Sequence, residues 1–369
     1  MKSEITQRAI VSFAKKLMEI PSTEENISAQ KKCLSLITEE FGGDFFVQEY
    51  LFKKHPALVL STTKNKEADI ILSGHTDVVS GPQELFVSEV SGSILSGRGA
   101  YDMKAALVAC MYAVQEYKAK GGPLDIAVLI TSDEETSGYG TQQLLQKNGY
   151  RSKFALIPDG GSETNIVLRQ KGFLQCKVTL EGVSAHASDP WKGTNPIENI
   201  QHICEKMKSA YPIPTEEHQW QTSVIPTRVE TEGDLNQIPN SAAVYFDVRY
   251  VETKDYEKVL DILKEEAGKN GQVEIIAENG IFLVEEHDPF VQQLRDSIKR
   301  ISGKETSFAH ENGTSDAIFF AEKGIPVALF RPEGGGAHQD SEWVNTNSLF
   351  QMYEVVGDFL EHAKLRNLV

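Results

Sequence analysis

The residues best placed to do chemistry stand just past short apolar runs. Ile70-Ile71-Leu72-Ser73-Gly74 leads into His75-Thr76-Asp77, and 124–130 leads into Thr131-Ser132-Asp133-Glu134-Glu135. Phe154-Ala155-Leu156-Ile157 leads into Pro158-Asp159, and 326–330 precedes the loop Gly334-Gly335-Gly336-Ala337-His338. A further carboxylate, Asp102, follows Gly97-Arg98-Gly99-Ala100-Tyr101. Such runs read as buried strands. Polar groups at the carboxyl ends of parallel strands lie where open α/β sheets bind ligands. An imidazole there can hold a metal through one ring nitrogen while an acceptor fixes the other. His75 suits the ligand, and Asp77 the group that orients it or steers a neighbouring base. Mixed imidazole and carboxylate ligation suits Zn²⁺, and an open position makes such a site catalytic. The acids exceed the needs of one tetrahedral ion, which points to two ions about 3.5–4 Å apart sharing one carboxylate.

Plainer readings stand beside these. Asp102 can be a helix N-cap, the adjacent Glu134 and Glu135 a solvated turn, and His338 a loop residue after three glycines. Gly97-x-Gly99 lacks the rest of a dinucleotide fingerprint.

The elements that must position these groups follow from periodicity. Helical spacing covers 5–20, 27–41, 102–117 and 140–147, with short strands between them, and this alternation predicts a mostly parallel sheet with helices on both faces. Near Gly172 the style changes. Strand patterns at 173–180, 221–230, 242–250 and 273–277 and helical ones at 195–210 and 254–267 give the order β-α-β-β-α-β, a split βαβ unit. Helices at 289–301, 315–323 and 348–363 and a strand at 326–330 resume the first style. The expected division is a catalytic domain at 1–171 and 284–369, interrupted by an inserted α+β domain at 172–283.

Composition sets bounds. With 369 residues, 40% hydrophobic and 24% charged, the chain reads as an ordinary globular protein large enough for two domains. Its 37 basic and 53 acidic residues leave a net charge of −16, which argues against nucleic acid or an anionic membrane as partner. Cys33, Cys110, Cys176 and Cys204 show no paired spacing and read as reduced thiols. The start lacks the apolar stretch of a signal peptide, and no run reaches a membrane span. A cytoplasmic location is the expectation.

The ordered set of motifs resembles a known family. The motifs are Ser-Gly-His75-Thr-Asp77, Gly-Arg-Gly-Ala-Tyr-Asp102-Met-Lys, Thr-Ser-Asp-Glu134-Glu135, Asp159-Gly-Gly, Gly182-Val-Ser-Ala-His186, Asn236-Gln-Ile-Pro, Asp247-Val-Arg249, Gly313-Thr314-Ser-Asp316 and Ala337-His338. They are similar to those of the metallopeptidases and deacylases that include acetylornithine deacetylase, succinyl-diaminopimelate desuccinylase, aminoacylase, glutamate carboxypeptidase and peptidase T. The resemblance implies a zinc-peptidase-like catalytic domain and a ferredoxin-like lid and dimerisation domain. It implies two divalent ions, zinc before cobalt or manganese. His75 and Asp159 would hold one, Glu135 and His338 the other, with Asp102 shared. Glu134 would be the general base with Asp77 beside it. His186 and Asn236 would approach a small-molecule substrate from the lid, His186 often from the partner of a homodimer. Arg249 would meet a substrate carboxylate, and Gly313 and Thr314 would line the substrate.

Two departures qualify the match. Many deacylases and carboxypeptidases of the family have Glu where this chain has Asp159; the Asp resembles the aminopeptidase and dipeptidase members. Asp316 is followed by Ala317-Ile318, not by the Gly-Arg of desuccinylases. The expected reaction is hydrolysis of one amide bond in an N-acyl amino acid or a short peptide, a desuccinylase or deacetylase activity on one side and an aminopeptidase or dipeptidase activity on the other. A catalytically silent binding subunit is the remaining alternative.

Overall fold

The computed structural model describes residues 2–365. The chain enters through helices α1 (Lys2–Met18) and α2 (Ile27–Phe41), then strands β1 (Phe46–Phe52), β2 (His55–Ser61) and β3 (Glu67–His75). Two short strands, β4 (Glu89–Ser91) and β5 (Ile94–Ser96), precede α3 (Lys104–Ala119). Then come β6 (Ile126–Thr131), α4 (Tyr139–Gln146), β7 (Arg151–Ile157) and β8 (Asn165–Gln170). The second style follows as β9 (Gly172–Glu181), β10 (Ala185–His186), α5 (Pro196–Ala210), β11 (Ser223–Thr231), β12 (Gln237–Ile238), β13 (Ser241–Tyr250), α6 (Thr253–Ala267) and β14 (Gly271–Asn279). The chain then continues through β15 (Phe282–Leu283), α7 (Pro289–Ser302), β16 (Ser307–Glu311), α8 (Ala317–Ala321), β17 (Val327–Leu329), β18 (Gly334–Gly335), β19 (Trp343–Asn345) and α9 (Thr346–Leu365).

Two compact units result: Met1–Leu168 with Leu283–His310 and Ser315–Val369, and Arg169–Phe282 with Glu311–Thr314. Periodicity places Glu311–Thr314 in the first style, whereas packing groups it with the second unit. The first unit is built on a sheet of order β1-β2-β6-β3-β7-β17-β8-β15, with β16 beside β8 and helices on both faces. Its centre, β6-β3-β7-β17, is parallel. The neighbouring β2 and β8 run antiparallel to it. Parallel strands covered on both sides are apolar throughout, and all six residues of β6 are buried. α3 is buried nearly all round, as its run of Ala, Leu, Val, Cys and Met requires. Gly74 permits its approach, because a Cβ there would lie 2.7 Å from Met103 Cε.

Several differences from the periodic pattern have local causes. β1 was hidden because most of its residues are exposed and its half-covered ones, Val47, Tyr50 and Phe52, do not alternate. The helix expected at 315–323 is the shorter α8, and the one expected from Asp102 begins at Lys104. The N-cap position of α3 is Met103, with no side-chain cap, so Asp102 is not spent on capping.

The second unit carries an antiparallel sheet of order β11-β13-β9-β14, the ferredoxin-like arrangement of its β-α-β-β-α-β order. Alternation in β9 points Leu174, Cys176, Val178 and Leu180 to one face. They share a core with Ile200, Ile203 and Met207 of α5 and Val259, Leu260 and Leu263 of α6.

Lys104 is the outlier of the first core. It is fully buried, and its Nζ donates to Leu17 O and Ile20 O, both at 2.9 Å. It thereby ties α3 to carbonyls at the end of α1. Lys104→Met fills the space but orphans both carbonyls, and it is expected to cost about 2–4 kcal/mol in urea unfolding. Wild-type stability in that variant would show that the two carbonyls need no partner.

Candidate active site

The four parallel strands at the sheet centre end at one edge, and each delivers charged groups there. β3 ends on His75, β6 runs into Glu134 and Glu135, β7 into Asp159, and β17 into Arg331. Asp102 and His338 arrive on loops held by the small sheet β18-β19-β5-β4.

Asp102 lies between the imidazoles. Its Oδ1 is 3.2 Å from His75 Nε2, and its Oδ2 is 3.1 Å from His338 Nε2. His338 Nε2 also lies 3.0 Å from Glu135 Oε2. Single ligand atoms of His75, Asp102 and Glu135 fall within 4.8 Å of one another, and so do those of His75, Glu134 and Asp159. Asp77 braces the set from behind. Its backbone O is 3.0 Å from His75 Nδ1, and its Oδ2 accepts from the Glu135 N–H at 3.0 Å. His338 sits at φ +63°, a conformation that costs a non-glycine residue about 1–3 kcal/mol and is seen at functional sites. Gly336 (φ +74°) makes the turn into it, where a Cβ would lie 2.7 Å from Ser341 O.

The electrostatics are those of a site crowded with acids. Burial raises Glu134 well above the usual carboxylate range, and Asp316, Asp159 and Asp102 push it further while His75 opposes them. Burial likewise lifts Glu135 to about 7 and Asp316 to about 8. Burial would also raise Asp102, but His338 and His75 together hold it well below the usual range. Burial would lower His75, yet Asp102, Asp77 and Glu134 raise it well above its usual value. The bond to Asp102 is the main cause lifting His338 to about 9.

These residues fit divalent cations. A carbonyl only accepts, so the contact with Asp77 O places a proton on His75 Nδ1 and leaves Nε2 as a lone pair when the ring is neutral. That lone pair faces Asp102 Oδ1, and neither atom makes a well-directed hydrogen bond although both are buried. Acceptors turned toward one point call for a cation between them.

The groups in the second unit are arranged as follows. His186 on β10 and Asn236, just before β12, come together with Nε2 and Nδ2 3.5 Å apart. Ser188 N–H donates to His186 Nδ1 at 3.1 Å. Arg249 is already engaged: its Nε and Nη2 donate to the two oxygens of Asp247 at 2.7 and 3.2 Å. Gly313 and Thr314 lie on the short segment grouped with this unit.

Sequence reasoning passed over Arg331 and Glu342. The Arg331 guanidinium stacks on Tyr101 at 3.9 Å, donates from Nε to Gly161 O, and stands 3.7 Å from Asp159 Oδ1. Its position just after a parallel strand of the sheet centre was the available signal. Glu342 binds the backbone N–H groups of Tyr101 and Asp102.

The profile of Peptidase family M20/M25/M40 matches residues 71–362, and the chain belongs to that family. It is therefore a hydrolase acting on amide or peptide bonds. Among curated proteins, the succinyl-diaminopimelate desuccinylase of Ehrlichia ruminantium (strain Welgevonden) is 23% identical over 376 residues, spanning 95% of this chain and 97% of the relative. Aminopeptidase PepT from Bacillus cereus superposes with a TM-score of 0.81 at 20% identity, covering 97% of this chain and 99% of that one. The YXEP protein of Bacillus subtilis, described as a dinuclear metal binding peptidase from the M20 family, superposes with a TM-score of 0.70 at 14% identity over 97% and 98%. At these identities the solved structures show a shared fold. Among the described residues no helix is long and apolar enough to cross a membrane.

If the acid cluster is a cation site, divalent ions must stabilise the fold by binding the native state alone. At 100 times Kd the gain is about 2.7 kcal/mol per site. Titrating metal-stripped protein with Zn²⁺, Co²⁺ and Mn²⁺ is expected to raise Tm, and less so in Asp102→Asn. A Tm indifferent to all three ions would remove the cation reading.

Proposed function

We propose that the protein is a dinuclear metal-dependent hydrolase of a small N-acyl amino acid or short peptide. The observation that carries this reading is Asp102, whose two oxygens each face a different imidazole. His75 and Asp159 would hold one ion and Glu135 and His338 the other, with Asp102 shared. When bound, a pair of divalent ions supplies an acidified water and a Lewis acid for the scissile carbonyl, with zinc suiting the donor set best and cobalt or manganese also suiting it.

The chain's own residues do the rest. Glu134 takes the proton of the attacking water and passes it to the leaving nitrogen. Asp77 fixes the His75 ring and the Glu135 backbone. His186 donates to the oxygen that gains charge, brought from the inserted unit of the same chain or of a partner in a homodimer formed through that unit. Asn236 stands beside it, and Arg249, Gly313 and Thr314 would contact substrate. For Arg249 this requires release from Asp247.

A second reading, aminopeptidase or dipeptidase rather than deacylase, is favoured by a specific observation. Ala317 and Ile318, where desuccinylases carry Gly-Arg, are both buried, so no cation at those positions reads a succinyl carboxylate. A screen of N-acyl amino acids against dipeptides with added Zn²⁺ or Co²⁺ separates the two.

Glu134→Gln cannot accept a proton, so kcat is expected to fall at least about 10²-fold with metal content unchanged. Glu135→Gln should lower metal occupancy instead. Interchanged effects would reverse the assignment of the two glutamates.

Losing one oxyanion donor typically costs about 10²–10³ in kcat. That loss is expected of His186→Ala, with metal retained. Mixing it with Glu134→Gln should restore one working site per heterodimer if the imidazole comes from the partner. Wild-type turnover by His186→Ala would refute its role, and no recovery in a heterodimer isolated through a different affinity tag on each variant would refute delivery in trans.

A further inference from the structure

Asp102 stands on a loop, Gly97 to Met103, which needs a device to keep its carboxylate facing two imidazoles. That device comes from the other end of the sequence. Glu342, only 2% exposed, turns Oε1 to the backbone N–H groups of Tyr101 and Asp102, at 2.9 and 3.0 Å. Its Oε2 accepts from Arg98 Nη1 at 2.8 Å, and Arg98, 3% exposed, also donates to Gln339 O at 3.2 Å. The Glu342 carbonyl in turn accepts from the Gly97 N–H at 3.1 Å. Strands β5 and β19 pair antiparallel immediately outside these contacts, with Ser96 opposite Trp343. The result is a closed clamp: Arg98 and Glu342, each on one of the two loops, grip the opposite loop at both its backbone and its side chain.

We propose that Glu342 is a positioning residue for the metal centre, fixing Asp102 relative to His338 through two backbone amides and the Arg98 ion pair. This rests on the reading of Asp102 as the shared ligand. Both Glu342 oxygens are committed to N–H donors, so it is not itself a ligand, although it stands four residues past His338. The Arg98 charge balances it, so the clamp adds no net negative charge to a centre already crowded with acids. A structural pairing alone would need only an apolar contact between the loops. Aiming one carboxylate oxygen at the amide of Asp102 itself sets the direction in which that residue leaves the backbone. Groups that orient ligands in this way typically contribute about 10- to 100-fold to metal affinity.

The test compares wild type, Glu342→Ala and Glu342→Gln, each stripped of metal and titrated with Co²⁺. Affinity is read from the visible absorption of bound Co²⁺, and melting is recorded on the metal-free forms. Glu342→Ala is expected to bind Co²⁺ about 10- to 100-fold more weakly. Glu342→Gln, whose amide oxygen still accepts both N–H groups but whose NH2 cannot accept from Arg98, should bind Co²⁺ more tightly than Glu342→Ala and more weakly than wild type. If Glu342→Ala does not fold, Glu342→Asp replaces it: it keeps a charge beside Arg98 but is too short to reach both amides, and the same weakening is expected. Wild-type Co²⁺ affinity in the Ala or Asp variant, or equal weakening in Gln and Ala, would overturn the positioning role. Failure of the wild type itself to bind two Co²⁺ would instead overturn the dinuclear reading on which it rests.

Discussion

The structure depends on one electrostatic fact: several carboxylates are forced to share a small, poorly solvated space. Glu134, Glu135, Asp102 and Asp159 converge on His75 and His338 at the carboxyl edge of a buried parallel sheet. Like charges at such spacing disfavour one another, and burial adds to the penalty. The raised proton affinities of Glu134 and Glu135 are the expression of that conflict. Protons relieve it only in part. Divalent cations held by the same groups would relieve it further and turn the crowding into binding energy.

The scaffold supplies the rigidity that such a conflict demands. β6, β3, β7 and β17 are anchored by buried apolar residues on both faces, so the chain leaves each of them at a defined place. The two site residues that do not come from strand ends, Asp102 and His338, are joined to each other through Arg98 and Glu342. The strained backbone of His338 persists because the Gly336 turn and the pairing of β18 with β19 hold the loop on either side.

Much of this was legible in the chain, because strand runs that end in His or acid carry both the fold and the chemistry in one local pattern. His75, Glu134-Glu135 and Asp159 each advertise themselves in that way, and the change of style near Gly172 marks the inserted α+β unit. What was hidden depends on partners far away in sequence. The contact between Arg98 and Glu342 joins positions 244 residues apart, and nothing local marks either one. Arg331 follows a strand of only three residues, and its relation to Asp159 arises from the pairing of β17 with β7. β1 escaped notice because its residues are mostly exposed, leaving little alternation to read.

The central claim is that Asp102 is shared between two cations, one beside each imidazole. Diffraction from crystals loaded with Zn²⁺, recorded on either side of the zinc absorption edge, tests it most directly. The account predicts two anomalous peaks flanking the Asp102 carboxylate, one next to His75 Nε2 and one next to His338 Nε2. A single peak, or a pair that leaves Asp102 bound to neither ion, would contradict it.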